Sequence, residues 1–287
     1  ILTSEPGGNG DLVARYIAQG IAPSLGQQAI VDNRGGGVIP GEALARATPD
    51  GYNLLYGANV THVLNPAVLN VSYDPITDFE PIALIGNTPW LFAVKNDLPV
   101  KNLPELIGWL KANPDKATFG TAGQGSPSHI GGVLFQNVTG TRFQFIPYRG
   151  TAPAVTDLLG GQVDLMFLPI HVAMAHVKSG RLVALAIGSE RRHALMPDVP
   201  TVAQTGLGQV NVAMWFGVFA PAGLPAEQVA NFNREINQIL SSEEVKTAFS
   251  TQGMDPATAT PAEFARLVER DAQKWARLVK SQGITAD

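Results

Sequence analysis

The chain has 287 residues, of which 45% are apolar and 15% charged, with a net charge of −4. That length buries a sizeable core and accommodates two domains. An acidic balance with no basic cluster excludes nucleic acid or an anionic membrane surface as the main partner. There is no cysteine, which excludes thiol catalysis, disulfides and cysteine-ligated metal and suits a periplasmic protein. No run reaches the roughly 18 apolar residues of a membrane span, so no membrane insertion is expected. The sequence opens on Ile1, inside an apolar run, as expected of a processed or trimmed start with its targeting segment out of view.

In chain order, Ile1-Leu2-Thr3 reads as a short strand running into Pro6-Gly7-Gly8-Asn9-Gly10-Asp11. A helix follows with Leu12, Val13, Tyr16, Ile17 and Ile21 on one face. This is no dinucleotide fingerprint, because Val13 stands where a third glycine would, and no Gly-Lys-Ser/Thr makes it a phosphate-binding P-loop. Asp11 is either a first-turn carboxylate favoured by the helix dipole or a pin for the loop. Residues 29–31 read as a strand, 40–47 as a short helix ended by the turn Pro49-Asp50-Gly51, and 54–56 as a buried strand. That strand leads to Asn59-Val60-Thr61-His62, where His62 either reaches a ligand or bonds to backbone. Apolar runs at 82–85 and 91–94 complete a first block in which strands alternate with helices. Such alternation predicts a mostly parallel sheet covered on both faces.

A second block begins near Asn96, with a helix over 104–112 and a short strand at 117–119. The next stretch, Gly120-Thr121-Ala122-Gly123-Gln124-Gly125-Ser126-Pro127-Ser128-His129, opens an apolar helix. Ser126 suits the N-cap and Pro127 the first helical position. Amides without intrahelical partners at such a mouth carry partial positive charge and suit a carboxylate or phosphate. A glycine-rich turn with an ordinary cap is the alternative. Strands at 143–146, 163–167 and 182–187 and helices at 152–159 and 172–177 follow. A strand at 212–219 closes on Pro221-Ala222-Gly223, and the rest is helical. Val229, Phe232, Ile236, Ile239 and Leu240 keep helical spacing. Thr260-Pro261-Ala262-Glu263 is a capping box for a helix carrying Phe264, Leu267, Val268, Trp275 and Leu278. Helices with no sheet of their own must pack on an earlier block, so the chain crosses between lobes more than once. The expected division is 1–96 plus 217–287 as one lobe and 97–216 as the other.

The five histidines, His62, His129, His171, His176 and His193, lack metal-type spacing, so neither a metal nor a cofactor is expected. Ser126 or Ser128 beside His129 could serve an esterase-like hydrolase, but no Gly-x-Ser-x-Gly elbow exists. The remaining feature is two glycine loops at helix N-termini, one per block, placed to clamp a small anion from both sides. Arg149 either adds a fixed charge or is an ordinary surface arginine.

Taken together, these residues resemble the solute receptors of tripartite tricarboxylate transporters, the Bug family. The likeness spans nearly the whole chain. It includes Pro6-Gly7-Gly8-x-x-Asp11, Asn33-Arg34, Pro49-Asp50-Gly51-Tyr52, Tyr73-Asp74-Pro75 with Asp78-Phe79, and Gly125-Ser126-x-Ser128-His129. It continues through Pro147-Tyr148-Arg149-Gly150, residues 157–163 and 165–167, Pro197-Asp198-Val199-Pro200-Thr201 and Ala220-Pro221-Ala222-Gly223. The resemblance implies a monomeric, non-enzymatic periplasmic receptor of the Venus-flytrap kind, closing on a small carboxylate and delivering it to transient membrane partner subunits. A receptor feeding a sensor kinase is the alternative within that class.

By the same resemblance, main-chain amides from Gly7, Gly8 and Asn9 in one lobe hold a carboxylate. In the other lobe that role falls to Ala122, Gly123, Gln124, Gly125, Ser126 and Ser128. The far end of the ligand would be read by Asn59, Thr61, His62, Tyr148, Arg149, Thr151, Leu168 and His171. Where many members carry Phe-Asp-Asn this chain has Phe167-Leu168-Pro169, and His171 stands where proline is common. Loss of that aspartate favours a di- or aromatic carboxylate over an amino acid. Glu5, beside the first loop, opposes an anion unless it points away.

Overall fold

A computed structural model of the chain describes residues 1–3, 9–34, 38–124, 126–189, 191–210, 214–251 and 253–282. It divides into two compact units, Ile1–Asn87 with Met214–Thr285, and one built on Thr88–Ala213. The first unit begins with β1 (Leu2–Thr3), α1 (Asn9–Leu25), β2 (Asp32–Asn33), α2 (Ile39–Ala45) and β3 (Leu55–Ala58). A π-helical turn (Val60–Leu64) then runs into α3 (Asn65–Val68), and β4 (Phe79–Thr88) leads out. The second unit holds β5 (Trp90–Lys95), α4 (Leu103–Ala112), β6 (Thr118–Thr121), α5 (Pro127–Thr139) and β7 (Gln144–Pro147). It continues with α6 (Thr151–Leu159), β8 (Leu165–Pro169), α7 (Ile170–Lys178) and β9 (Leu182–Gly188). The chain returns to the first unit with β10 (Met214–Pro221), α8 (Ala226–Leu240), α9 (Glu243–Thr251), β11 (Asp255–Pro256) and α10 (Pro261–Gln282).

The first sheet has the order β11-β4-β10-β3-β1-β2. Strands β2, β1 and β3 are parallel, while β10 runs against β3 and β11 against β4. The second sheet has the order β7-β6-β8-β5-β9. Here β6 is parallel to β7 and β8, and β5 is antiparallel to both of its neighbours. Hence β7, β6, β8 and β9 run one way and β5 alone is reversed. The α/β class expected from the sequence is the class observed, with each sheet mixed rather than uniform.

The boundaries need correction. Residues 91–94 read locally as part of the first block, yet β5 hydrogen-bonds between β8 and β9 in the second sheet. The first crossing therefore falls at residue 87 instead of 96, and the return at 214 instead of 217. An apolar run specifies a strand but not the sheet it joins.

Each core follows from its sequence pattern. In the first unit Val13, Ala14, Ile17 and Ile21 of α1 and Val229, Ile236 and Leu240 of α8 are buried with residues of β3, β4 and β10. The capping box forms: Glu263 Oε2 accepts from the Thr260 amide at 2.9 Å, and Thr260 Oγ1 accepts from the Glu263 amide at 3.3 Å. Phe264, Val268 and Trp275 of α10 are buried; the side chain of Leu278 lies outside the described residues. In the second unit α5 lies almost flush on aromatic rings. A Cβ on Gly131 would stand 2.8 Å from Phe167, and one on Gly132 2.6 Å from Phe145. Those glycines let α5 approach β8 closely, which fixes where its N-terminus opens.

Candidate functional site

In the second unit the parallel strands β6, β7 and β8 are followed by α5, α6 and α7, so three helix N-termini open at one sheet's carboxyl edge. The α5 mouth is organised by its own hydroxyls. Ser128, fully buried, accepts from the Ala122 amide at 2.9 Å and lies 3.0 Å from Ser126 Oγ. Ser126 Oγ donates to Gly123 O at 2.6 Å and accepts from the His129 amide at 3.3 Å. Donor directions then run one way, from Ala122 N–H through Ser128 and Ser126 to the Gly123 carbonyl. Ser126 is the N-cap and Pro127 opens the helix, as the sequence predicts.

The turn needs glycine at 123, whose φ is +119°. A Cβ there would stand 3.4 Å from the Tyr148 carbonyl oxygen, so the 148–150 loop adjoins the mouth. Gln124 is exposed at its tip, and Gly125 lies outside the described residues. The Ala122 and Ser126 amides and both serine hydroxyls bond within the loop, and Ser126 commits its proton to Gly123 O, away from any imidazole. The His129 ring packs edge-on against Phe145 at 4.8 Å, and burial lowers its pKa.

Other expected residues of this unit separate into rim and core. Arg149 is exposed and pairs with no carboxylate among the described residues. Tyr148 Oη donates to Asp157 at 2.6 Å; burial and that carboxylate push its pKa up to about 12. Thr151 is half-buried at the start of α6. His171 sits in the first turn of α7 with Nδ1 buried and unpartnered, and desolvation lowers its pKa. Leu168 is fully buried in the apolar cluster with Leu91, Met166 and Ile170. Sequence reasoning missed Trp90, whose buried Nε1 has no partner at the start of β5.

In the first unit, Gly7 and Gly8 lie outside the described residues, as does Glu5, and Asn9 is described only as the first residue of α1. Asp11 sits in the first turn of α1, and the glycine loop it was expected to pin lies outside the described residues. Asp11 Oδ1 accepts from Asn33 Nδ2 at 3.0 Å and pairs with Arg15 at 3.0 Å. The segment after β3 differs from the expected loop. It winds into the π-helical turn and carries His62 into the core, 1% exposed, stacked on Phe219 at 3.9 Å.

His62 Nε2 lies 2.9 Å from the Pro75 carbonyl, an acceptor, so Nε2 carries the proton. Desolvation lowers its pKa to about 4. His62 is thus a neutral, backbone-bonded core histidine, the second of the two readings its sequence position left open. Thr61 Oγ1 bonds to the Ala58 amide and carbonyl at 3.1 and 3.2 Å, and Asn59 is buried. Thr3 and Tyr56, which the sequence reading took only as strand residues, hold buried hydroxyls with no partner among the described residues. Their only sequence signal is a polar residue in an otherwise apolar strand. Among the described residues no group of three potential ligands could hold a metal, and no helix is long and apolar enough to cross a membrane.

Two α/β units of this topology, with helix N-termini opening at the carboxyl edges of their sheets, define the class of periplasmic solute-binding proteins. A sequence model described as "Tripartite tricarboxylate transporter family receptor" matches residues 13–284, so the chain belongs to that receptor family. Protein BugT of Bordetella pertussis is 36% identical over 287 residues, covering 99% of this chain and 88% of that one. An R. palustris protein solved with adipate is 30% identical with a TM-score of 0.81, covering 99% of this chain and 97% of that chain. MatC from Rhodopseudomonas palustris, solved with bound malate, is 31% identical with a TM-score of 0.78, covering 97% and 98%.

Proposed function

We propose that the chain is a periplasmic receptor that captures a small carboxylate and hands it to the membrane subunits of a tripartite transporter. The proposed donors are main-chain amides of Gly7, Gly8 and Asn9 ahead of α1 and of Gly123, Gln124 and Gly125 ahead of α5. Arg149, Thr151 and His171 are the proposed rim contacts. The observation that carries this reading is the α5 mouth, a positive helix end whose loop is held in shape by Ser126 and Ser128 before any ligand arrives. Hydrogen bonds to an ionised group contribute about 1.5–3 kcal/mol each, so a few suffice for the roughly 8 kcal/mol of micromolar binding.

A di- or aromatic carboxylate is favoured over an amino acid. Support for that preference comes from the adipate and malate of the two neighbours, since Leu168 is buried away from solvent. The test is a thermal-shift screen of the purified protein against malate, succinate, adipate, aromatic acids and amino acids. A ligand at about 100 times its dissociation constant adds roughly 2.7 kcal/mol of stability. Stabilisation by dicarboxylates or aromatic acids is the expected result. Stabilisation by amino acids alone overturns the ligand class, and no response to any acid overturns the receptor reading.

A further inference from the structure

Thr3 and Tyr56 lie one residue beyond the paired Leu2 and Leu55 on the parallel strands β1 and β3. Their side chains therefore stand side by side on one face of the sheet. That face is the one α1 covers: a Cβ built on Gly10, in the first turn of α1, would lie 3.3 Å from Thr3 Oγ1 and 3.0 Å from Tyr56 Cε1. Thr3 is fully buried and Tyr56 is 7% exposed, and neither hydroxyl has a hydrogen-bond partner among the described residues. Orphaned buried hydroxyls are costly and rare, so two of them at one helix mouth call for an occupant.

We infer that Thr3 Oγ1 and Tyr56 Oη form a subsite at the α1 mouth for the hydroxyl of a hydroxycarboxylate ligand, an inference that rests on the carboxylate-receptor reading above. The hydrogen-bond inventory decides the class of group. Amides in the first turn of α1 only donate and are satisfied by a carboxylate. A threonine or tyrosine hydroxyl both donates and accepts, so a pair of them is fully satisfied by a group that does the same. An alcohol on the carbon next to a carboxylate is such a group, and it delivers its acid to the helix amides. Burial keeps the Tyr56 phenol protonated, so it meets the ligand as a neutral donor and acceptor. The nearby Asp11 carboxylate is engaged by Asn33 and Arg15.

The experiment is calorimetric titration of the purified chain with malate and with succinate, which differ only by the hydroxyl. Malate is expected to bind at least about tenfold tighter, because succinate leaves the buried hydroxyls unpaired. In Thr3→Val and Tyr56→Phe the malate-to-succinate ratio is expected to fall towards one. A ratio rather than an absolute affinity is read, so a partly destabilised variant still reports. Equal binding of the two acids by the unmodified chain overturns the inference. So does a ratio unchanged in both variants, which would make the hydroxyls a water site. If neither acid binds but another in the screen does, the receptor reading stands and this inference falls. If no acid binds, both fall.

Discussion

The mouths of α1 and α5 solve the same problem in opposite ways. At α5 the side chains Ser126 and Ser128 consume one another and the nearby backbone, so the loop is closed upon itself. At α1 the neighbouring hydroxyls of Thr3 and Tyr56 are buried yet uncommitted. The π-helical turn beyond β3 hides a further orphan, His62 Nδ1. The contrast separates two meanings of a preorganised site. One mouth spends its polar groups on holding shape. The other leaves buried hydroxyls unspent, and on the proposed reading an unspent buried donor is worth more to a ligand than one already satisfied.

The largest expected effect concerns His62. Its folded pKa, about 4, lies below the ordinary 6.5 because burial disfavours the imidazolium. The unfolded chain therefore binds the proton more readily. Stability is full above about pH 6.5 and is lost as pH falls towards 4. The loss from this group approaches about 3 kcal/mol at 1.36 kcal/mol per unit. Urea unfolding at pH 7, 5.5 and 4 measures it. His62→Gln, which keeps a donor for Pro75, should flatten that slope; an equally steep slope in the variant removes His62 as its cause.

A smaller effect tests the contrast itself. Ser128→Ala leaves the Ala122 amide without its acceptor and should cost about 1–3 kcal/mol, with weaker carboxylate binding. In the ligand-free protein, Thr3→Val should cost little or even stabilise, since its hydroxyl makes no bond to lose. Melting temperatures of the two variants measured together decide the matter, and similar losses at both sites would erase the distinction. The smallest effect is expected at Asp11. Asn there removes an ion pair whose Arg15 partner is half exposed and a charge favourable at a helix start. The expected loss of about 0.5 kcal/mol should fade in high salt, and a salt-independent loss would point to the Asn33 bond instead.

Much of this was legible in the sequence because it is local chemistry. Ser126-Pro127 declared a helix start, Thr260 and Glu263 a capping box, and the 3–4 spacing of Val229, Ile236 and Leu240 a buried helical face. What escaped was set by distant partners. The run 91–94 announces a strand equally well in either sheet, and only its pairing with β8 and β9 decides. The sequence left His62 open between ligand contact and backbone bond, because nothing local says that Phe219, far along the chain, will stack on it. Leu168 shows the same limit. Its position in a motif invited a ligand role, while its burial beside Leu91 and Met166 depends on the sheet's other strands. The orphan hydroxyls of Thr3 and Tyr56 became visible only when Gly10 was brought against both.

The place of β10 in its sheet has a consequence for biogenesis. It lies between β4 and β3, so the first sheet stays split until residue 221 has been made. The strands and helices of the second unit, by contrast, all fall between Thr88 and Ala213. During vectorial synthesis the interior segment is thus the first to be complete. The N-terminal segment, with the mouth that leaves buried hydroxyls unspent, must wait as an unfinished half for its missing strand.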